Sequence, residues 1–299
     1  MNDENDQPVT LVLNGGGSRF PAFVGALSAI EEKGLNIGMV CGASTGSVVA
    51  ALFAAGMSPY EMLSKALECN FDAFKDFSIG GLLFDRGLYR GDALEKWLDN
   101  LLQGRTFNDD FSIPLQVIAT DIRNRTPVIF SRETTPDVKV ATAIRFSLGL
   151  PLLFGYRRFF QQGKLRILID GSLTATIVED NLRHVGKTLI LKTVSRRSRH
   201  HLPEEKFTFF RYTRALLEIL MHATEKELIK GDKWRDTILL YCGEIAPTRF
   251  SLSREEIRHL FEQGHVQTGR YLDYKWGDRS TRPDRVRLDD TRNPASYPS

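Results

Sequence analysis

The chain has 299 residues, of which 42% are hydrophobic and 26% are charged, a composition that is ordinary for a folded globular protein. Its net charge of +3 is too mild to indicate a nucleic-acid partner, although clustered basic residues would suit an anionic surface. The first residues are acidic and polar, which excludes a signal peptide, and no apolar run is long enough to cross a membrane. We therefore expect a cytoplasmic protein whose three cysteines are reduced.

The first apolar run, Val9–Leu13, predicts a buried strand that leads into Gly15-Gly16-Gly17 and then into a helix from about Pro21 to Lys33. Glycines between a strand and a helix either cradle a phosphate or present N–H groups to an oxyanion. The Lys-Ser/Thr pair of a phosphate loop is missing, and Phe20 stands where a dinucleotide site needs its third glycine. The spacing favours an oxyanion site, and a purely structural glycine turn is the alternative.

The same strand, turn and helix pattern repeats at once around Ser44. The apolar run 37–40 predicts the strand, residues 48–55 predict the helix, and Gly42-Ala43-Ser44-Thr45-Gly46 forms a G-x-S-x-G turn between them. Such a sharp turn exposes the serine hydroxyl, and glycines are needed two residues to either side because the backbones approach closely. A small-residue turn without chemistry is the alternative.

Further along, one apolar strand ends in Asp170-Gly171. A carboxylate at the end of a strand is held on a rigid scaffold and faces the sheet edge at which Ser44 is expected. A solvated turn aspartate is the alternative, so this dipeptide indicates a functional site only in combination with the glycine loop and the Ser44 turn.

The remaining pattern alternates strands with helices, which predicts an α/β domain without internal repeats. Residues 71–91 are rich in aromatic side chains and glycine, which suggests either a mobile cover over an apolar cleft or irregular core packing. We expect a basic surface loop over 195–201 and a loosely ordered tail from residue 277. Further helices are predicted at 92–102, 138–146, 207–230 and 254–274, and further strands at 113–121, 127–131, 155–160, 165–169, 188–193 and 237–243.

The glycine loop, the Ser44 turn and Asp170-Gly171, in this order, resemble the patatin-like phospholipase family. The likeness extends to Ala119-Thr120-Asp121, to the stretch 143–147 and to Pro151, and it covers roughly residues 9 to 195. It implies a three-layer α/β fold with a mostly parallel central sheet and helices on both faces. The division that we predict is a catalytic core over 1–195, a helical part over 196–276 that completes the same domain, and a tail over 277–299.

The resemblance also implies a Ser–Asp dyad without a catalytic histidine, a metal or a cofactor. Ser44 would be the nucleophile that forms an acyl-enzyme, and Asp170 would be the general base. The N–H groups of Gly15, Gly16 and Gly17 would bind the oxyanion, and the supporting residues would be Arg19, Gly42, Gly46 and Gly171.

Some positions depart from the family pattern and concern the detail of the loop and of the acyl pocket. The family usually has glycine at the position of Phe20 and glycine or alanine at the position of Ser172. An Asn and a Pro that are common in the family are replaced here by Thr176 and Val178. All six histidines follow Asp170, so residue order alone leaves open a Ser–His–Asp esterase of another substrate class. The third reading is a lipid- or nucleotide-binding module that is not an enzyme.

The expected partner is a phospholipid membrane surface that supplies the substrate, approached from the cytoplasmic side by a peripheral protein. Some bacterial relatives of the patatin type are effectors switched on by a small signal, including cyclic nucleotides in antiphage defence. The part of the chain from about Ser195 is the candidate to carry such control or an oligomer interface, and no nucleic-acid partner is expected.

Overall fold

The computed structural model describes residues 7–74, 76, 87–195, 215, 235–249 and 251–276. Several predictions from the sequence lie wholly or mostly outside these ranges. They are the centre of the aromatic, glycine-rich segment, the basic loop after Ser195, the helix over 207–230 and the tail from residue 277. Among the described residues, no helix combines the length and the apolarity that a membrane crossing needs.

A mixed eight-stranded sheet organises the molecule, with strand order β10-β9-β1-β2-β4-β8-β7 and with β5 paired to β4. The neighbours from β10 to β4 are parallel, whereas β5, β8 and β7 are attached in antiparallel fashion. A separate pair of short strands, β3 and β6, is parallel. The strands are β1 Val9–Asn14, β2 Ile37–Ala43, β3 Gly87–Tyr89, β4 Leu115–Asp121, β5 Thr126–Phe130, β6 Leu152–Phe154, β7 Arg157–Gln161, β8 Lys164–Ile169, β9 Thr188–Val194 and β10 Thr237–Tyr241.

Helices cover both faces of this sheet, and they confirm the predicted three-layer α/β class. One face carries the large core, in which side chains of β1, β2, β4, β9 and β10 pack against most of the helices. The other face carries a smaller cluster of apolar residues that α6 covers. The helices are α1 Phe20–Glu32, α2 Thr45–Ala54, α3 Pro59–Glu68, α4 Asp92–Leu101, α5 Val140–Ser147, α6 Ala175–Val185 and α7 Arg254–Trp276.

The described residues near the C-terminus join the same sheet and the same core. β10 pairs with β9 at the sheet edge, and α7 lies along α1. Two glycines allow the two helix backbones to touch, since a Cβ at Gly25 would stand 1.8 Å from the Phe261 carbonyl oxygen and one at Gly264 would stand 1.9 Å from that of Ala22. Both predicted elements of this region, the strand after 237 and the helix after 254, are confirmed.

The sequence prediction missed α6 and the pair β3–β6. α6 carries polar and charged residues between its apolar ones, but Ala175, Val178 and Leu182 repeat at helical spacing and face the smaller cluster. β3 and β6 have only 3 residues each, which is too short for a periodic signal.

Candidate active site

Ser44 occupies the sharp turn that joins β2 to α2. Its backbone angles are φ 55° and ψ −136°, a region that residues other than glycine rarely adopt. The flanking glycines make the turn feasible. A Cβ at Gly42 would stand 2.4 Å from the Ser47 Cα, and one at Gly46 would stand 2.2 Å from the Leu13 carbonyl oxygen. The strand and the helix therefore hold the serine side chain in a fixed direction.

The structure brings Ser44 and Asp170 together across 126 residues of sequence. The Ser44 hydroxyl donates a hydrogen bond to Asp170 Oδ2 at 2.8 Å. The other carboxyl oxygen, Oδ1, accepts the N–H of Ser172 at 2.9 Å and the Ser172 hydroxyl at 2.6 Å. Because these bonds fix both oxygens, the carboxyl group faces the serine in one orientation.

Asp170 is buried, with 1% of its surface exposed, and its main chain is anchored as firmly as its side chain. Burial raises the pKa of its carboxyl group above the usual value, and the hydrogen bonds from Ser172 and Ser44 oppose that rise. Its carbonyl oxygen accepts the Thr120 hydroxyl at 2.7 Å, and a Cβ on Gly171 would stand 1.9 Å from the Ile118 carbonyl oxygen. The end of β4 thus sets the position of the aspartate.

The glycine loop after β1 touches the serine turn through its main chain. The N–H of Gly15 donates to the Ala43 carbonyl at 3.1 Å, and the Gly15 carbonyl accepts the Thr45 hydroxyl at 2.9 Å and the Gly46 N–H at 3.0 Å. Gly15, Gly16 and Gly17 all have positive φ, at 76°, 110° and 56°. Within the described part of the chain, the N–H groups of Gly16 and Gly17 have no protein acceptor.

The outer side of the glycine loop rests on a segment that follows β10. Ser18 donates its N–H to the Pro247 carbonyl at 2.9 Å and its hydroxyl to the Ala246 carbonyl at 3.0 Å. A Cβ on Gly17 would stand 2.2 Å from the same Pro247 oxygen. The buried Arg19 donates its Nε–H to the Gly16 carbonyl at 3.3 Å, so it holds the loop from within. No pattern in the sequence indicates this contact with residues 246–247.

Ser147, at the end of α5, supports the serine turn from beneath. Its hydroxyl oxygen accepts the N–H of Ser44 at 2.8 Å and donates its own proton to the Ile118 carbonyl. Ser147 is fully buried. Ser147 lies in the stretch 143–147 that resembles the family, but the sequence alone indicated no role for its side chain.

A buried ion pair lies where β1 enters the glycine loop. Lys192 on β9 and Glu179 on α6 are 4% and 2% exposed and lie 2.7 Å apart. The amide of Asn14, the last residue of β1, donates to the other carboxylate oxygen of Glu179. This arrangement ties the strand before Gly15 to the helix that follows Asp170.

Three of the six histidines, namely His184, His259 and His265, belong to the described residues. None of these three is a hydrogen-bond partner of Ser44 or Asp170, and His265 lies 3.4 Å from Glu32 on the surface of α1. The other three, at 200, 201 and 222, lie outside the described residues. Over the described ranges, no group of three or more His, Cys, Asp or Glu side chains is arranged to hold a metal ion.

Known proteins resemble this chain in sequence and in fold. A family model for patatin-like phospholipases matches residues 11–182, which include the glycine loop, Ser44 and Asp170. The uncharacterized protein YqhO of Bacillus subtilis is 27% identical over 290 residues, which cover 87% of this chain and 97% of YqhO. The probable lipid hydrolase 463L of Invertebrate iridescent virus 6 is 29% identical over 158 residues, 49% of this chain and 54% of the viral protein.

The fold has a counterpart among solved structures. VipD from Legionella pneumophila superposes with a TM-score of 0.54 at 16% identity, over 90% of this chain and 67% of VipD. At this identity the likeness concerns the fold alone. The family match spans more than half of the chain and includes the residues that the fold brings together. The chain therefore belongs to the patatin-like phospholipase family, and it is a hydrolase that acts on carboxylic ester bonds.

Proposed function

We propose that the protein is a serine lipid acyl hydrolase that cleaves carboxylic ester bonds of phospholipids with a Ser44–Asp170 dyad. The single observation that carries this proposal is the 2.8 Å hydrogen bond from the Ser44 hydroxyl to Asp170 Oδ2. A nucleophile within hydrogen-bond reach of a base is the geometry that covalent acyl transfer requires. Membership of the family supplies the lipid ester as substrate.

In the first half of the reaction, the Ser44 oxygen attacks the ester carbonyl carbon and its proton passes to Asp170 Oδ2. The leaving alcohol takes that proton, which leaves an acyl group on Ser44. In the second half, water attacks the acyl carbon and gives a proton to Asp170, and the fatty acid departs with Ser44 reprotonated. The raised pKa of Asp170 suits this role, because a carboxylate of higher pKa is the stronger base.

The oxyanion of each tetrahedral intermediate needs donors that no protein acceptor already occupies. The N–H groups of Gly16 and Gly17 meet this condition over the described residues, whereas that of Gly15 is bonded to the Ala43 carbonyl. We therefore narrow the three-glycine expectation to Gly16 and Gly17. A donor of this kind contributes about 3–4 kcal/mol to transition-state stabilisation in well-studied hydrolases.

The test compares wild type, Ser44→Ala and Asp170→Asn on mixed phospholipid vesicles, with fatty-acid release followed by mass spectrometry. We expect release by wild type and a loss of about 10³-fold or more in both variants. A fluorophosphonate probe should label wild type at Ser44, and thermal unfolding verifies that the variants are folded. Release by either variant at the wild-type rate contradicts the dyad.

A Ser–His–Asp esterase is the main rival, and it predicts that one histidine is essential. We expect His→Ala variants at all six positions to retain activity within about twofold, since the described partner of Ser44 is a carboxylate. A single histidine variant that is folded and as inactive as Ser44→Ala would establish the triad. A protein that binds lipid but neither hydrolyses it nor reacts with the probe would be the non-catalytic module.

Regulation and location extend the proposal. We propose that the protein acts peripherally at the cytoplasmic face of a membrane. We also propose that an activator such as a cyclic nucleotide switches it on in antiphage defence, and that this activator acts through the part of the chain after Ser195. Most of residues 196–234 lies outside the described ranges, so this hypothesis remains a prediction. Full activity of the purified protein alone, together with a melting temperature that cyclic nucleotides do not change, would contradict the activator hypothesis. A measurement of the molecular mass in solution decides the oligomeric state.

A further inference from the structure

The hairpin of β7 and β8 projects past the edge of the sheet that carries Ser44. β8 runs antiparallel to β4, and only its last residues pair with it, Ile169 with Thr120 and Leu168 with Asp121. The earlier part of β8 and its partner β7 therefore extend beyond the end of β4. β8 is 6 residues long, which corresponds to roughly 20 Å of extended chain.

One face of this hairpin packs on the core and the other is open. Phe159 packs against Phe130 and Phe146, with ring centroids 5.3 Å and 5.5 Å apart, which fixes the hairpin in place. Successive side chains of a strand point to opposite faces, so Phe160 points outward, and it is 71% exposed. Ile122, which follows β4 and bonds through its N–H to the Ile167 carbonyl, is 51% exposed.

Exposed cations lie in the same two segments of the chain as these apolar side chains. Residues 138–169 contain six Lys and Arg and no Asp or Glu, and residues 122–132 contain three Arg and no Asp or Glu. Four of these cations pair with carboxylates from outside the two segments, namely Arg132, Lys139, Arg157 and Arg166. Four others are exposed and, over the described residues, have no carboxylate within ion-pair distance: Arg123, Arg125, Arg158 and Lys164.

We propose that this surface, made of the β7–β8 hairpin and the β4–β5 turn, docks the protein onto an anionic phospholipid bilayer. An exposed aromatic ring among arginine and lysine side chains suits the membrane interface, where the ring enters the boundary of the acyl chains and the cations meet anionic headgroups. Because the hairpin extends from the Ser44 edge of the sheet, docking turns that edge toward the lipid. The proposal rests on the proposed function, since it concerns delivery of a lipid substrate to that site.

The test measures docking apart from chemistry. The parent is Ser44→Ala, which leaves the vesicles intact, and binding is followed by co-sedimentation with vesicles of equal phosphatidylglycerol and phosphatidylcholine. The variants are Phe160→Ala and the double change Arg158→Gln with Lys164→Gln. Matched controls lie on α7 toward the opposite sheet edge, where Asp273 pairs with Lys33: Tyr274→Ala, with 74% exposure, and Arg270→Gln.

We expect Phe160→Ala to weaken vesicle binding about fivefold and the double variant to weaken it about 25-fold at low salt. The effect of the double variant should fade at about 1 M salt, where the Debye length is about 3 Å, whereas that of Phe160→Ala should persist. Both controls should stay within about twofold of the parent.

Three results would overturn the docking surface: no binding of the parent to these vesicles, equal binding by the hairpin variants and the parent, or equal losses in the α7 controls. Binding of single-stranded RNA with the same residue dependence would also overturn it in favour of a nucleic-acid surface. A short soluble ester tests the site independently in wild type, so failure of hydrolysis and failure of docking are separate results.

Discussion

The hydroxyl of Ser147 holds the main chain of Ser44, because it accepts a hydrogen bond from the Ser44 N–H at 2.8 Å and donates one to the Ile118 carbonyl. A serine at φ 55° is strained, and such a conformation persists only where neighbouring groups fix it. Ser147→Ala leaves that N–H without its acceptor. We expect kcat to fall about 10–100-fold with little change in KM, and the free energy of unfolding to fall by about 1–3 kcal/mol.

Steady-state kinetics and urea unfolding measure the two effects, and Ser131→Ala is the matched control. Ser131 is also buried, and its hydroxyl bonds to Glu133 away from Ser44. We expect the control to lose stability without a loss of kcat. Equal losses of kcat in both variants would mean that Ser147 acts on general stability rather than on the position of the nucleophile.

We predict that no other residue can replace Gly17 without a shift of the loop, for two reasons. Its φ is 56°, and a Cβ would stand 2.2 Å from the Pro247 carbonyl oxygen, which belongs to the backbone and cannot turn aside. Gly17→Ala must therefore displace the loop, and we expect a loss of about 10²–10³-fold in kcat if the Gly17 N–H binds the oxyanion. Gly34→Ala serves as the control, because its φ is 63° and nothing lies within 4 Å of the added Cβ. The control should lose about 1 kcal/mol of stability and keep its kcat.

The residues of the candidate site were predictable from the sequence because their signals are local. Strand, glycines and helix follow one another within a few residues around Gly15 and around Ser44, and an apolar strand runs directly into Asp170. The first two patterns place their residues at the carboxyl edge of a parallel sheet without knowledge of the rest of the chain, whereas Asp170 reaches that edge at the end of β8, which is antiparallel to β4. The order of the three patterns then carried the family resemblance.

The supports of the site were not predictable, because each is a contact between distant residues. Ser147 reaches Ser44 across 103 positions, and Ser18 reaches Ala246 across 228. Nothing in the composition around Ser147 or Ala246 distinguishes these residues from ordinary helix and turn positions. The same holds for Thr120, whose bond to the Asp170 carbonyl depends on the antiparallel placement of β8 against β4.

The buried pair of Lys192 and Glu179 is expected to behave as a coupled unit. Removal of one partner takes away the opposite charge that lies 2.7 Å from a buried ion, and such a change typically costs 3–5 kcal/mol. We therefore expect Lys192→Met and Glu179→Gln each to lower the free energy of unfolding by about that amount. The double variant should lose much less than the sum, since neither charge is then stranded. Additive losses in urea unfolding would show that the pair is not coupled.

Loss of the Glu179 carboxylate is also expected to affect the glycine loop, because Glu179 accepts a hydrogen bond from the amide of Asn14, the residue directly before that loop. Glu179→Gln should lower kcat as well as stability. The control is Arg183→Gln on the same helix, which donates hydrogen bonds to Asp180 and Thr237. A lower kcat in the control of equal size would point to α6 as a whole instead of Asn14.

The buried carboxyl group of Asp170 predicts a pH dependence of stability with a definite sign. Its pKa is raised by burial, so the folded protein binds this proton more tightly than the unfolded chain does. The contribution of Asp170 to stability is therefore full below the ordinary pKa of about 3.9 and is lost as the pH rises through the raised value. Asp170→Asn removes the titration. We expect a higher melting temperature than wild type at pH 7 and a difference that shrinks as the pH is lowered toward 4.

Asp109 provides the opposite case on the same protein. Hydrogen bonds from the N–H and the hydroxyl of Thr106 lower the pKa of this exposed carboxyl group. Its contribution is present above the ordinary pKa and is lost as the pH falls, so Asp109→Asn should lower the melting temperature at pH 7. Thermal scans of both variants and wild type between pH 4 and pH 8 compare the two signs. If Asp170→Asn lowered the melting temperature at pH 7 by as much as Asp109→Asn does, the carboxylate of Asp170 would be stabilised by its hydrogen bonds more than burial penalises it, and its strength as a base would need another source.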